Sequence, residues 1–133
     1  IIFQEADQQL HAQNAVKTAL AIQKATAEIN TNLKGRFETV VVNIGINSGT
    51  ASVGSTRFEG ITGTRWTYTA SGPVTNVAAR IGSLAKQGEI LIGETTAELI
   101  KDCFPLKSVG KPQLKNVKVP LEIFQVTSAE SVH

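Results

Sequence analysis

The sequence predicts an α+β domain whose mostly antiparallel sheet carries helices on one side. Apolar residues recur every three or four positions through residues 7–33, which is typical of a long helix. Residues 37–48 are instead rich in Val and Ile, as buried strands are. Helical and strand-like segments then alternate irregularly, and consecutive strand-like segments predict hairpins. This order favours an antiparallel sheet with helices on one face.

The composition is that of one globular domain. The chain has 133 residues, a net charge of +2 and 41% hydrophobic residues, a size at which a sizeable core forms. Lys and Arg form no run, and one Trp and one Tyr offer no stacking surface, so we expect no nucleic-acid partner. Cys103 is the single cysteine, which excludes a disulfide framework and fits an intracellular setting. No apolar run approaches the ~20 residues of a bilayer span. We therefore expect a cytoplasmic domain, which upstream segments could tether to a membrane.

The first third of the chain predicts a strand, a helix and a second strand. Residues 1–3 predict the end of a buried strand, and residues 7–33 predict the first helix. Asp7 lies near the positive N-terminal end of that helix, where a carboxylate is favoured. His11 has no second His or Cys at metal-ligand spacing, which favours a structural role. Residues 37–48 show a β-branched run and then an alternation, which predicts the central strand.

A hairpin is predicted next. Residues 55–64 are polar and contain two glycines, which predicts a hairpin loop. We expect residues 65–70 to return as the antiparallel partner of residues 37–48. Three glycines do not fit the phosphate-binding loop pattern, since no Gly-Lys-Ser/Thr follows them. They predict close backbone approach within a bent hairpin instead: Gly45, Gly49 and Gly54.

A turn and a second helix follow the hairpin. Ser71 and Gly72 suit an N-cap, and Pro73 suits the first helical position because it has no N–H to leave unsatisfied. Four apolar residues at helical spacing predict a buried stripe: Val74, Val77, Ile81 and Leu84. Asn76 and Arg80 are four apart and share a different face. Arg carries a planar cationic fork suited to phosphate oxygens, and Asn can hold a ribose or an attacking oxygen without charge. The alternative is an ordinary polar pair on a surface helix.

The last third of the chain predicts smaller elements. Residues 86–88 combine Lys and Gly in the order that ends a helix. Three strands and one short helix are expected after it: strands 89–92, 104–109 and 121–126, and helix 94–100. A polar, basic stretch at residues 110–118 separates the last two strands. We expect residues 1–127 to form the domain and residues 128–133 a frayed tail.

Several motifs resemble one family when they are taken in order. Tyr68–Thr69, Gly72 and residues 74–80 resemble the "YT…G…VN.AAR" signature of class III nucleotidyl cyclases. Residues 43–54 resemble that family's "iGi.tG.v..G" strand, and residues 88–92 resemble its "G.ilis" strand. The family often has Asp where this chain has Pro73, and Pro is compatible with a helix start. The resemblance runs from about Phe3 to Val126 and implies a ferredoxin-like class III cyclase fold whose N-terminal elements are missing.

The start of the chain also indicates a fragment. The sequence contains no Met and opens on two isoleucines and a phenylalanine, which predicts a piece of a longer protein; a processed small protein is the alternative. The resemblance implies that two metal-binding Asp residues lie upstream of Ile1. We therefore expect no metal ligands in this chain and two Mg²⁺ or Mn²⁺ ions bound by upstream residues.

The resemblance also implies roles for particular residues. The family joins the ribose 3′-oxygen of a nucleoside triphosphate to its own α-phosphate and releases pyrophosphate. Asn76 would orient the ribose, and Arg80 would stabilise the pentavalent transition state. Thr69 would contact the purine, and Thr at this position resembles adenylyl cyclases, so ATP is the expected substrate; an ordinary strand Thr is the alternative. Ala70 is expected to bind substrate beside it. Lys115 sits where the family places a Lys against the terminal phosphates; an exposed loop lysine is the alternative.

The resemblance further implies a head-to-tail homodimer whose nucleotide binds at the interface, and a sensor or regulatory domain upstream. Open sheet edges in a truncated domain favour an exchanged or non-native dimer. We therefore expect the C-terminal part of an adenylate cyclase catalytic domain that is inactive by itself. The alternatives are a catalytically silent cyclase-like nucleotide-binding or dimerisation module, and an unrelated ferredoxin-like interaction domain.

Overall fold

The described part of the chain contains three helices and six strands, and it confirms the predicted α+β class. The computed structural model describes residues 2–3, 7–36, 38–49, 52–60, 63–115, 117 and 120–127. Its elements in chain order are α1 Gln8–Asn32, β1 Ile44–Ile46, β2 Ser52–Gly60, β3 Gly63–Ser71, α2 Pro73–Leu84, β4 Ile90–Gly93, α3 Glu94–Ile100, β5 Leu106–Gly110 and β6 Ile123–Val126. Residue 1 and the predicted tail at residues 128–133 lie outside the described residues.

The strands form two sheets. Four of them lie in the order β1-β4-β6-β5, and β2 and β3 form a separate hairpin. β1 runs parallel to β4, while β4–β6, β5–β6 and β2–β3 are antiparallel. The sheet structure is therefore mostly antiparallel, as the sequence predicts.

The predicted antiparallel pairing of residues 37–48 with residues 65–70 is wrong. Residues 65–70 belong to β3, which pairs with β2 from Ser52↔Ser71 to Gly60↔Gly63. β1 pairs with β4 in the other sheet. It lies at the end of the described strand order, so the prediction that this segment is the central strand is also wrong. Most of the predicted hairpin loop at residues 55–64 is therefore strand. Pairing two strands that are close in sequence costs little loop-closure entropy. Residues 55–64 are polar, so their composition predicts a loop although most of them are in strands.

The segment before β1 is held by side chains of α1. Within the predicted strand at residues 37–48, only Ile44–Ile46 are in a sheet, and residue 37 lies outside the described part. The amide of Asn30 donates to the carbonyl of Val40 at 2.8 Å and accepts from its N–H at 2.8 Å. Gln23 Nε2 donates to the carbonyl of Val42 at 2.7 Å. Side-chain amides thus satisfy backbone groups that a neighbouring strand would satisfy in a sheet.

Two apolar clusters show which helix covers which face of the four-stranded sheet. Ile90 and Ile92 of β4 belong to a cluster with α1 and α3, whereas Leu91 belongs to a cluster with α2. Successive side chains of a strand point to opposite faces, so α2 covers the face opposite to α1 and α3. This differs from the expected placement of the helices on one side, because β4 is apolar at every position and can bury both faces.

The helix boundaries follow local signals. Asp7 caps α1 by accepting from the N–H groups of Gln9 at 2.9 Å and Leu10 at 3.2 Å, close to the predicted start. Ile2 and Phe3 are not in a strand, contrary to the prediction for residues 1–3. The carbonyl of Phe3 instead lies 3.2 Å from Nδ1 of His11, a contact in keeping with a structural histidine. Among the described residues, no helix has the length and apolar character that crossing a membrane requires.

Candidate active site

The two predicted catalytic residues lie on α2. The helix begins at Pro73 after Gly72, whose φ of 119° favours glycine. Ile81 is fully buried, and Val77 and Leu84 pack against the same cluster. This burial fixes the rotation of the helix about its axis, so the structure confirms that the Asn76–Arg80 face reaches the surface. Asn76 is exposed and Arg80 is partly buried.

Both side chains are available to a ligand. In the described part of the chain, neither Asn76 nor Arg80 forms a side-chain hydrogen bond or an ion pair. A guanidinium carries five N–H donors in a rigid fork, and a carboxamide has two donors and an acceptor. This face of α2 can therefore offer positive charge and hydrogen bonds to an oxygen-rich anion.

Close backbone packing sets the position of α2. A side chain at Gly45 of β1 would place its Cβ 2.6 Å from the carbonyl oxygen of Ala78 and from Cα of Gly82, and closer still to the amide nitrogen of Gly82. Helix and strand backbones thus touch at this crossing. The close backbone approach predicted for Gly45 is present, but it is made with α2 and not within a hairpin. At Gly49 a Cβ would lie 2.7 Å from Cγ2 of Val74, so this glycine also admits a close neighbour.

Thr69 and Ala70 lie at the end of β3, just before the turn into α2. In the hairpin register, Thr69 is opposite Gly54 and Ala70 is opposite Val53. Thr69 is thereby on the segment that leads into the helix carrying Asn76. The side chains of Thr69 and Ala70 lie outside the described part, so their contact with a purine stays a prediction.

Lys115 lies in the connection between β5 and β6 and is exposed. The preceding residue, Leu114, is 4% exposed and packs in the cluster that contains Ile81 and Ala85. This contact holds the loop against α2. The structure therefore brings the Lys115 backbone to the helix that carries Arg80, and a phosphate contact by Lys115 stays a prediction.

Two residues of the site region were not identified from the sequence. Asn47 Nδ2 donates to the carbonyl of Val74 at 3.1 Å, and Ser48 Oγ lies 2.7 Å from the buried Thr96 Oγ1. The sequence signal was an Asn–Ser pair directly after a strand, since Asn and Ser often hydrogen-bond to nearby backbone. The identity of their partners required the tertiary structure.

The donor set of this region suits an anion rather than a cation. Among the described residues, no group of three or more His, Cys, Asp or Glu is arranged to hold a metal ion. Asn76, Arg80 and Lys115 provide neutral or cationic groups, whereas Mg²⁺ takes oxygen ligands that are mostly carboxylates and waters. The described residues therefore do not fit a metal site by themselves.

Comparisons with known proteins give a consistent result. The sequence matches the family described as the adenylate and guanylate cyclase catalytic domain over residues 1–128. It is 33% identical over 135 residues to the terminal-differentiation-specific adenylate cyclase of Dictyostelium discoideum, a match that covers 97% of this chain and 6% of that protein. The fold is similar to the adenylyl cyclase CyaB from P. aeruginosa, with a TM-score of 0.81, 30% identity, and coverage of 95% of this chain and 63% of that one. It is also similar to the guanylyl cyclase Cya2, with a TM-score of 0.77, 32% identity, and coverage of 93% and 62%.

The matched proteins include both adenylyl and guanylyl cyclases at similar identity. The chain spans less than two thirds of each solved domain and a small part of the curated relative. The family match, in contrast, extends over nearly the whole chain and agrees with the fold. The chain therefore belongs to the adenylate and guanylate cyclase catalytic-domain family.

Proposed function

We propose that this chain supplies the Asn–Arg part of an adenylate cyclase active site, which converts ATP to cyclic AMP and pyrophosphate. The observation that carries the proposal is the pair Asn76 and Arg80, one turn apart on the accessible face of α2 and without a partner among the described residues. Membership of the cyclase family gives this pair its chemical context.

Arg80 stabilises the transition state. The ribose 3′-hydroxyl loses its proton to solvent, and a bond forms between its oxygen and the α-phosphorus while the bond from that phosphorus to the pyrophosphate oxygen breaks. Negative charge grows on the non-bridging oxygens and on the departing pyrophosphate. A preorganised guanidinium interacts more strongly with this charge than with the ground state, and such an interaction raises kcat rather than affinity alone.

Asn76 orients the ribose. Its carboxamide adds no charge, so it can donate to one sugar oxygen and accept from another without competing with Arg80 for phosphate. The exposure of Asn76 supports a site that a second chain completes. A head-to-tail homodimer meets this need. Among the described strands, β1 lies at the end of its sheet, and an exchanged or non-native dimer could also form there.

Substrate selection rests on Thr69, with Ala70 beside it. A Thr hydroxyl can pair with the adenine edge, and this chemistry supports ATP over GTP, since the matched proteins include cyclases of both kinds. Lys115 contacts the terminal phosphates from the loop that Leu114 holds against α2. Two Mg²⁺ or Mn²⁺ ions would be bound by carboxylates upstream of Ile1, and the roles of Asn76 and Arg80 do not depend on where those carboxylates lie. The domain works in the cytoplasm under an upstream sensor or regulatory domain.

Paired kinetics and thermal melts of the full-length protein test the proposal. We expect Asn76→Ala and Arg80→Ala each to lower kcat by about a hundredfold, as loss of one preorganised donor does. The free energy of unfolding should change by less than about 0.5 kcal/mol, as for other surface changes. Asn32→Ala and Arg36→Ala, at exposed positions near the end of α1, are the matched controls and should leave kcat unchanged.

The opposite pattern would contradict the proposal: large losses of stability with normal turnover per folded molecule would make Asn76 and Arg80 structural residues. Residues 1–133 alone should make no cyclic AMP, and robust synthesis by them would refute the upstream metal site. A full-length protein that binds ATP without turnover would be the catalytically silent module.

A further inference from the structure

We propose that Asn47 is a positioning residue for the catalytic face of α2: its side-chain amide holds the first turn of the helix, and thereby Asn76, in place. The inference rests on the proposed function of Asn76 and Arg80. It adds a residue that touches neither substrate nor reacting atoms and acts through the helix backbone.

The two halves of α2 are held differently. The fully buried residue of the helix is Ile81, and the backbone crossing with β1 occurs at Ala78 and Gly82. Both features lie between the middle of the helix and its C-terminal end. At the start, Gly72 is the N-cap and offers no side-chain hydrogen bond, and Pro73 is exposed. The N–H of Asn76 donates to the Gly72 carbonyl at 3.1 Å, and any further support of the first turn comes from outside the helix.

Asn47 supplies such a contact. Its Nδ2 donates to the carbonyl of Val74 at 3.1 Å. A carbonyl can only accept, so the NH₂ side of the amide must face Val74. On the other side, a Cβ at Gly93 would lie 2.6 Å from Asn47 Oδ1. The carboxamide of Asn47 therefore occupies space that is open only because residue 93 is a glycine.

The residues on both sides of Asn47 are held by the sheet and by α3. Asn47 directly follows β1, whose last residue pairs with β4 at Ile46↔Ile92. The next residue, Ser48, is hydrogen-bonded at 2.7 Å to Thr96, a fully buried residue of α3. The amide thus connects the first turn of α2 to the sheet and to α3.

Val74 precedes Asn76 by two residues, so release of the first turn moves Asn76 more than it moves the buried second half. A displacement of about 1 Å at a catalytic group can cost up to ~100-fold in rate. We expect a smaller loss, since Val74 also packs at Gly49. Loss of the Asn47 amide should lower kcat about tenfold and leave KM within about twofold, because orientation in the transition state suffers more than ground-state binding.

The test uses the full-length protein with Asn47→Leu and Asn47→Asp. Asp keeps the shape and removes the donor, so both variants should lose kcat about tenfold per folded molecule. Asn43→Leu is the matched control: Asn43 precedes β1, and its Oδ1 accepts from the N–H of Gly88 at 2.9 Å, far along the strand from Val74. This control should change stability without changing kcat.

Two further measurements exclude a merely structural role. Amide hydrogen exchange should be faster in the first turns of α2 in Asn47→Leu, with β4 unchanged. In the Asn76→Ala background, Asn47→Leu should reduce kcat by less than about twofold, because both changes then remove the same interaction.

The possible failures are distinguishable. Normal kcat in both Asn47 variants, or a tenfold loss that persists in the Asn76→Ala background, would overturn the inference while the proposed function stands. If Asn76→Ala and Arg80→Ala themselves turn over normally, the proposed function fails. Unchanged exchange in α2 would refute the contact of Asn47 with the first turn independently of any activity.

Discussion

Replacing Gly45 by Ala should push α2 and β1 apart and destabilise the domain. The new Cβ would lie 2.6 Å from the carbonyl oxygen of Ala78 and from Cα of Gly82. These atoms are backbone, so no side-chain rotation can relieve the overlap. The helix or the strand must move by roughly 1 Å to restore an ordinary van der Waals distance.

The expected cost follows from the density of the interface. Adding a methyl group to a well-packed core typically destabilises by about 1–3 kcal/mol. For a domain of this size each kcal/mol lowers Tm by roughly 3–5 °C. Because the displaced helix carries Asn76 and Arg80, we also expect kcat of the full-length enzyme to fall by up to about a hundredfold.

Gly82→Ala is the matched control, on the helix side of the same crossing. Its Cβ would lie 3.5 Å from the amide nitrogen and 3.7 Å from Cα of Gly45, which is an ordinary contact. Ala is favoured over Gly inside a helix by up to about 1 kcal/mol, so this variant should be as stable as the parent or more stable. Thermal unfolding followed by circular dichroism distinguishes Gly45→Ala, which should melt at a lower temperature than the parent, from Gly82→Ala, which should not. Equal melting temperatures for Gly45→Ala and the parent would refute the backbone crossing.

Two further changes test how α1 is held. Asp7→Ala should destabilise by about 1 kcal/mol, since the carboxylate caps two N–H groups at the start of the helix; an unchanged urea midpoint would refute the cap. Asn30→Ala should cost about 1–2 kcal/mol because both hydrogen bonds to Val40 are lost, whereas Asn30→Asp, which retains an acceptor for the Val40 N–H, should cost less. Equal chemical-denaturation midpoints for the two Asn30 variants would contradict this account.

Local sequence signals predict the helices and the helix face that carries the candidate site. The spacing of apolar residues predicts residues 7–33 as a helix, and the structure places α1 at Gln8–Asn32. Pro73 marks the first turn of α2. These signals act between residues one to four apart, so local sequence is sufficient to read them. Helical geometry then puts Asn76 and Arg80 together whatever the rest of the chain does.

Strand pairing was decided by the tertiary structure. Residues 44–46 are apolar and β-branched around a glycine, and they could pair with either neighbour on composition alone. Their partner is β4, 46 residues later in the chain, because the crossing at Gly45 and Gly82 returns the chain through α2 to the same sheet. Backbone hydrogen-bonding groups are the same in every strand, so sequence pattern alone does not distinguish partners.

The tertiary structure also decides two further features. One is the placement of α2 on the face opposite to α1 and α3, and the other is the contact of Asn47 with Val74. Each joins residues far apart in sequence: Leu91 to the α2 cluster, and an amide after β1 to a carbonyl 27 residues later. Such contacts exist only once the sheet has brought the segments together. The sequence thus determined which residues offer chemistry, and only the folded chain decided what holds them in position.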